Sequence, residues 1–157
     1  MFSIVHHEGR EIVEAVREEV QRLADLTDLS DIVAVSGSGQ QHATVYLSEK
    51  GVTALEALDP ARPLVRQFDG CFARASPAWL DTSTGQECAE LEEAAGGAMA
   101  LSALTGSRAY ERFSVHLIRQ TFGRLGVSWS DCSHIALASS FGASLLAGKR
   151  VCRRSEL

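Results

Sequence analysis

The chain has 157 residues, 45% hydrophobic and 22% charged, the composition of one globular domain with a buried core and not of a disordered segment. Fifteen basic against 20 acidic residues leave a net charge of −5, so no general basic field exists to hold nucleic acid. The longest apolar stretch, residues 135–148, is broken by serines and too short for a membrane span, and the first residues lack the basic-then-apolar order of a signal peptide.

Residues 9–24 set Ile12, Val13, Val16, Val20 and Leu23 on one helical face, with charged side chains over the rest. That spacing predicts a helix with one buried stripe. Residues 31–35 (Asp31, Ile32, Val33, Ala34, Val35) are short, apolar and rich in β-branched side chains, and read as a buried strand. Residues 43–47 read as a second strand. All three prolines fall within residues 52–78, which predicts a long surface excursion with a short helix near residues 54–58. Ser83 and Gln86 have capping-box spacing, predicting a helix to Ala94 that Gly96 and Gly97 break. A short helix follows over residues 98–104. Ser114 is the expected N-cap of the next, which carries Val115, Leu117, Ile118 and Phe122. A buried strand over residues 134–138 leads into a helix stopped by Gly148. Helices alternating with buried strands give an α/β class.

The segment Ser36-Gly37-Ser38-Gly39-Gln40-Gln41-His42 holds the most chemistry. The C-terminal ends of strands are where open α/β sheets place ligands. Glycines at 37 and 39 let backbone come close to one. The amides of Gln40 and Gln41 and the imidazole of His42 both donate and accept hydrogen bonds, which suits a polyhydroxylated ligand. A solvated glycine turn accounts for the same residues. Trp79 and Asp81 pair an aromatic face with a carboxylate, as sugars require, although a half-buried Trp beside a helix-start Asp would look the same. Arg112 offers a planar fork of donors, or an ordinary surface ion pair. The five histidines show no metal-ligand spacing, so no metal site is expected. There is no nucleophile elbow either. Cysteines 71, 88, 132 and 152 form no CxxC pair and read as reduced thiols of a cytosolic chain.

Together these segments resemble the FGGY family of carbohydrate kinases, most closely the eukaryotic-type xylulose kinases. The resemblance rests on Ser36 to His42 with Val45-Tyr46, on Cys71-Phe72, and on Ser76-Pro77-Ala78-Trp79-Leu80-Asp81-Thr82-Ser83-Thr84. It continues through Leu91-Glu92, Gly96-Gly97-Ala98 and Leu101-Ser102 to Leu104-Thr105-Gly106-Ser107-Arg108-Ala109-Tyr110-Glu111-Arg112-Phe113, and closes on Ser139-Ser140-Phe141 with Ala143-Ser144-Leu145. The order and spacing hold from Val5 to Gly148. Ala43 stands where a glycine is usual after the motif histidine, and Ser114-Val115-His116 departs from the usual Thr-Gly-Asn.

The resemblance implies a ribonuclease-H-like, actin-type α/β domain, incomplete here. Residues 1–148 would form part of the sugar-binding N-terminal domain, with residues 149–157 a divergent basic tail. It implies a ketose, D-xylulose, phosphorylated by ATP with Mg²⁺ to the 5-phosphate. His42 and Arg112 would contact the sugar, and Gln40, Gln41, Trp79 and Asp81 would shape its pocket. It places the catalytic Asp and the nucleotide domain outside the matched stretch, so no catalytic residue is expected in this chain and neither ATP nor Mg²⁺ is expected to bind it tightly. No nucleic-acid or membrane partner is expected. A non-catalytic sugar-binding or interaction protein is the alternative, and an unpaired sheet edge at residues 31–35 is expected to favour aggregation or pairing.

Overall fold

The computed structural model describes residues 6–7, 9–78 and 80–150. Trp79 and the tail from Val151 onward lie outside the described residues. Among those described, no helix is long and apolar enough to cross a membrane.

Two short antiparallel pairs organise the chain. Strand β1 (His6–His7) pairs with β3 (Ser76–Pro77), and β2 (Thr44–Leu47) pairs with β4 (His134–Leu137). In the second pair Thr44 faces Leu137 and Leu47 faces His134, and Ala138 N–H donates to Ala43 O at 2.9 Å to extend the ladder. All four residues of β2 are buried, which fits its unbroken apolar and β-branched character. An isolated bridge from Leu47 to Phe72 joins the loop after α3 (Leu64–Gln67) to this pair.

Helix α7 (Ala138–Ala147) packs on β2 and β4, α2 (Glu49–Glu56) packs on β2, and α1 (Gly9–Leu26) packs against α3 and α7. Ser48 caps α2 by accepting from Gly51 N–H. Gly51 is required there, since a Cβ would run into the carbonyl of Cys71. The core joins Val13, Val45, Leu47, Leu55, Phe68 and Phe141. Phe141 meets Phe68 and Phe72 edge-to-face at centroid distances of 5.9 and 6.0 Å, a favoured aromatic geometry. Helices α4 (Gly85–Ala94), α5 (Ala98–Thr105) and α6 (Ser114–Phe122) form a smaller layer around Cys88, Leu101 and Ala109. Gly96 and Gly97, at φ 87° and 107°, make the break between α4 and α5, and Gly148, left-handed at φ 61°, ends α7.

Five expectations need correction. Residues 52–78 are not a surface excursion, since Val52, Leu55, Phe68 and Cys71 are buried in the core. Residues 31–35 are not a buried strand. Ile32 is extended, but Val33, Ala34 and Val35 have no ladder partner among the described residues, and Val33 is 99% exposed. A β-branched run becomes a strand only when another strand satisfies its N–H and C=O groups. The stripe of α1 is buried only in its first half: Val13 is fully covered, whereas Val20 and Leu23 are 40% and 48% exposed because nothing among the described residues packs over them. The capping box at Ser83 does not form, since the hydroxyl of Ser83 is engaged with Gln120 and the helix begins at Gly85 after Thr84. Ser114 is the first residue of α6 and not its cap, which is Phe113 without a side-chain bond.

Truncating Phe141 to Ala should cost about 3–5 kcal/mol, because it leaves a cavity between Phe68 and Phe72. Leu104→Ala, on an exposed face of α5, should stay within about 0.5 kcal/mol. Urea midpoints with a shared slope provide the comparison, and equal losses would contradict this placement of the core.

Candidate functional site

The segment between residue 36 and β2 is held by the start of α7. A Cβ on Gly39 would lie 3.0 Å from the backbone N and Cα of Ser139, so this glycine serves the close approach of chain to chain. Gly37 has open space around its missing Cβ, and no such need applies there. From Gly39 the chain turns through Gln40, Gln41 and His42 and enters β2. Gln40 and Gln41 are exposed and His42 is half-buried.

Arg112 arrives from the other end of the matched series. Residues 110–113 form a turn closed by Phe113 N–H donating to Tyr110 O at 3.0 Å. Helix α4 and the residue before it pin this turn from below. Glu92 accepts from Ala109 N–H at 3.2 Å and pairs with Arg108, while the buried hydroxyl of Thr84 donates to Glu111 O. The turn presents Tyr110 and Phe113 edge-to-face at 5.5 Å, and the Arg112 guanidinium lies over the Tyr110 ring, 5.9 Å from its centroid. Arg112 is exposed and has no carboxylate partner among the described residues, so the surface ion pair is not formed and the guanidinium rests on an aromatic ring instead.

Two contacts bring His42 to this turn. Its ring lies 5.1 Å from that of Phe113, tilted by 43°, and its carbonyl accepts from the Ser114 hydroxyl at 3.3 Å. The chain His42–Phe113–Tyr110–Arg112 therefore joins two side chains 70 residues apart through successive ring contacts. An imidazole and a guanidinium on one aromatic cluster can supply hydrogen bonds of both senses to neighbouring hydroxyls.

The remaining candidates are placed differently. Asp81 is buried, at 5% exposure, and its Oδ1 accepts from Ser83 N–H at 2.8 Å, closing the turn before α4. Gln40 lines a groove of about 1000 Å³ between α1, α7 and residues 32–35; neither His42, Asp81 nor Arg112 lines that groove. Trp79 lies outside the described residues. Among the described residues no three His, Cys, Asp or Glu side chains cluster as a resident metal centre requires.

Sequence reasoning missed Phe113, Ser114, Glu92 and Thr84 as the parts that position the two candidates. Aromatic residues three apart at 110 and 113 were the only local signal for the cluster. The ties to Glu92 and Thr84 are tertiary and leave no spacing pattern.

Behind the turn, His116 on α6 is 2% exposed, and burial pushes its pKa below the ordinary 6.5, opposed by the charges of Glu87, Glu111 and Glu92. The unfolded chain therefore binds the proton more readily than the folded one. Stability is full above the ordinary histidine value and should fall as pH drops through 6.5 toward the lowered value. His116→Leu should flatten that slope in urea midpoints taken across the range; an unchanged slope would contradict the assignment. Thr84→Val should cost about 1–3 kcal/mol by leaving the Glu111 carbonyl unpaired, and should broaden the Arg112 side-chain NMR signal as the turn loosens.

No family model matches the chain. It is 46% identical over 142 residues to xylulose kinase 2 of Arabidopsis thaliana, covering 89% of this chain and 25% of that protein. It is 48% identical over 122 residues to the mouse xylulose kinase, covering 77% and 22%. Against the Schizosaccharomyces pombe xylulose kinase it is 44% identical over 127 residues, covering 80% and 23%. The chain thus spans about a quarter of the length of the curated relatives it matches. Among solved structures it superposes on a "xyloylose kinase" from Brucella ovis with a TM-score of 0.61 and 19% identity, over 90% of this chain and 25% of that one. That likeness shows the fold, part of the mixed α/β, actin-like architecture of a sugar kinase. Over most of its length the chain is a homologue of the xylulose kinases, matched to about one quarter of them.

Proposed function

We propose that this chain carries part of the sugar-binding side of an ATP-dependent kinase that phosphorylates D-xylulose on its 5-hydroxyl. The observation that supports this most directly is the ring chain from His42 through Phe113 and Tyr110 to Arg112. It links, through successive ring contacts, the two residues that the family resemblance assigns to the ketose. Arg112, unpaired with any carboxylate among the described residues, has donors to spend on ligand oxygens. The imidazole of His42 both donates and accepts when neutral, so one sugar hydroxyl can be ordered by it in either sense. Gln41, exposed on the same turn, extends the donor and acceptor set, whereas Gln40 lines the separate groove between α1 and α7. Asp81 contributes by holding the turn before α4, and the family resemblance assigns Trp79 to the same pocket.

Phosphoryl transfer depends chiefly on fixing the attacking hydroxyl and balancing charge on the transferred group. In this proposal the residues named above hold the sugar, while the carboxylate that aligns the nucleophile, the ATP and the Mg²⁺ belong to the remainder of a complete enzyme. The relatives carrying xylulose kinase names are about four times as long as the stretch matched here, which accords with that division. A cytoplasmic, reducing setting suits the chain: Cys71, Cys88 and Cys132 are free, and burial raises the pKa of each.

Replacing the matched stretch of a full-length xylulose kinase by this chain tests the reading. In that chimaera His42→Ala and Arg112→Ala should each lower kcat/KM for D-xylulose about tenfold to a hundredfold, the loss expected for a charged or buried ligand hydrogen bond. Arg119→Ala, whose partner is Glu90 on an exposed face, should change little. The isolated chain with ATP, Mg²⁺ and D-xylulose should release no ADP above the level of a His42→Ala, Arg112→Ala double variant. Equal kcat/KM in the chimaera and its His42 and Arg112 variants would contradict the assignment.

A further inference from the structure

The helical layer behind the Arg112 turn holds two buried polar groups that are incompletely satisfied. Glu87 on α4 is 3% exposed; its Oε1 accepts from Arg124, and its Oε2 has no hydrogen-bond partner among the described residues. On α6, which packs against α4, His116 is 2% exposed and its ring forms no ion pair among the described residues. Glu87 supplies the largest of the charges acting on that ring, ahead of Glu111 in the turn and Glu92 on α4. Folded proteins pair nearly all such groups, so an orphan carboxylate oxygen and an unpaired imidazole in one helix–helix contact mark a weak layer. The surrounding charges offer the ring no ready partner. Arg124 and Arg108 hold Glu87 and Glu92, and Arg119 on α6 itself is taken by Glu90. The Cys88 thiol on α4 is kept protonated by burial and brings no charge. A proton on His116 is therefore a buried cation that water would stabilise better than its neighbours do.

The part of this layer that can give way is the turn. The backbone N–H of His116 donates to Phe113 O at 3.0 Å, so the ring sits directly behind the turn's last residue in the chain. Residues 109–113 are irregular, with Tyr110 and Arg112 exposed, and are tied to α4 through Glu92 at Ala109 N–H and to Thr84 through its hydroxyl. Irregular segments with few ties open at lower free energy than the fold as a whole. We infer that His116 is an acid-sensitive latch beneath the Arg112 turn: proton uptake by its imidazole opens residues 109–113 while the β2–β4 core stays folded, and so draws Arg112 away from His42. The closed form binds the proton less readily than the open one, because burial lowers the affinity of the imidazole, so opening grows as pH falls below the ordinary 6.5. Loss of a ketose contact in acid rests on the function proposed above; the opening itself does not.

An NMR titration of the labelled full chain without sugar, from about pH 8 to about pH 5, tests this. The Ala109 and Phe113 amides and the Arg112 Nε–H should move together, with the midpoint of the His116 ring signal itself, below 6.5. The Val45 and Tyr46 amides in β2 should keep their folded positions. His116→Asn should abolish the movement, whereas His42→Gln, which removes the imidazole of the aromatic cluster, should keep it. Turn signals that stay still across the range, that move only as β2 unfolds, or that follow a midpoint other than that of the His116 ring would each overturn the latch. So would movement that survives in folded His116→Asn protein or is lost in His42→Gln. Adding D-xylulose to the same samples reads the ketose assignment separately: with both in force, binding weakens about tenfold more on acidification in the parent chain than in His116→Asn.

Discussion

The antiparallel pairing of β2 with β4 is the constraint on which the other features depend. It fixes Ala43 against Ala138 at one end, so the glycine segment enters the pair where α7 leaves it. That is why Gly39 must pass close to the backbone of Ser139. The same pair carries Tyr46 in its middle, whose hydroxyl accepts from Thr121 at 3.2 Å and so draws α6 onto the sheet. Arg74 reinforces the junction by bonding Thr121 and lying over the Tyr46 ring. With α6 fixed, its first residue Ser114 reaches the carbonyl of His42, and the turn before it brings Arg112 into the cluster.

The helical layer formed by α4, α5 and α6 then acts as a platform. Glu87 on α4, almost fully buried, accepts at 3.0 Å from Arg124 in the turn after α6, and Arg124 and Gln120 both reach the carbonyl of Ser83. A buried carboxylate tied to one arginine adds definition to the packing more than net stability, because its desolvation offsets much of the attraction. The result is that the turn at residues 110–113 rests on defined neighbours. A sugar site built there would not have to order a mobile loop on binding, which lowers the entropic cost of association.

How much of this was legible in the sequence divides along local and non-local lines. Helices α1 and α7, strands β2 and β4 and the breaks at Gly96, Gly97 and Gly148 follow from periodicity and glycine alone, since each is decided within a few residues. Residues 31–35 carry an equally plain strand signal, yet strand formation is settled by a neighbour and not by the run itself. The same holds for Val20 and Leu23, which have helical phase but no covering surface among the described residues. At the candidate site, the chemical character of His42 and Arg112 could be read from the chain, as could their resemblance to a sugar-kinase pattern. Their convergence could not, because it runs through Phe113, Tyr110 and Ser114 and through ties from Glu92 and Thr84. Those partners have ordinary spacing and acquire meaning only after the helices pack.

On the proposed function, His42 and Arg112 serve one ligand. The most direct test of this is a D-xylulose titration of the isotopically labelled chain, following the His42 imidazole and the Arg112 Nε–H signals by NMR. Both signals should move together, along one weak but saturable curve with a single dissociation constant, while the signals of groove residues Val33 and Val35 stay still. Movement confined to the groove, or a His42 shift that Arg112 does not share, would contradict it.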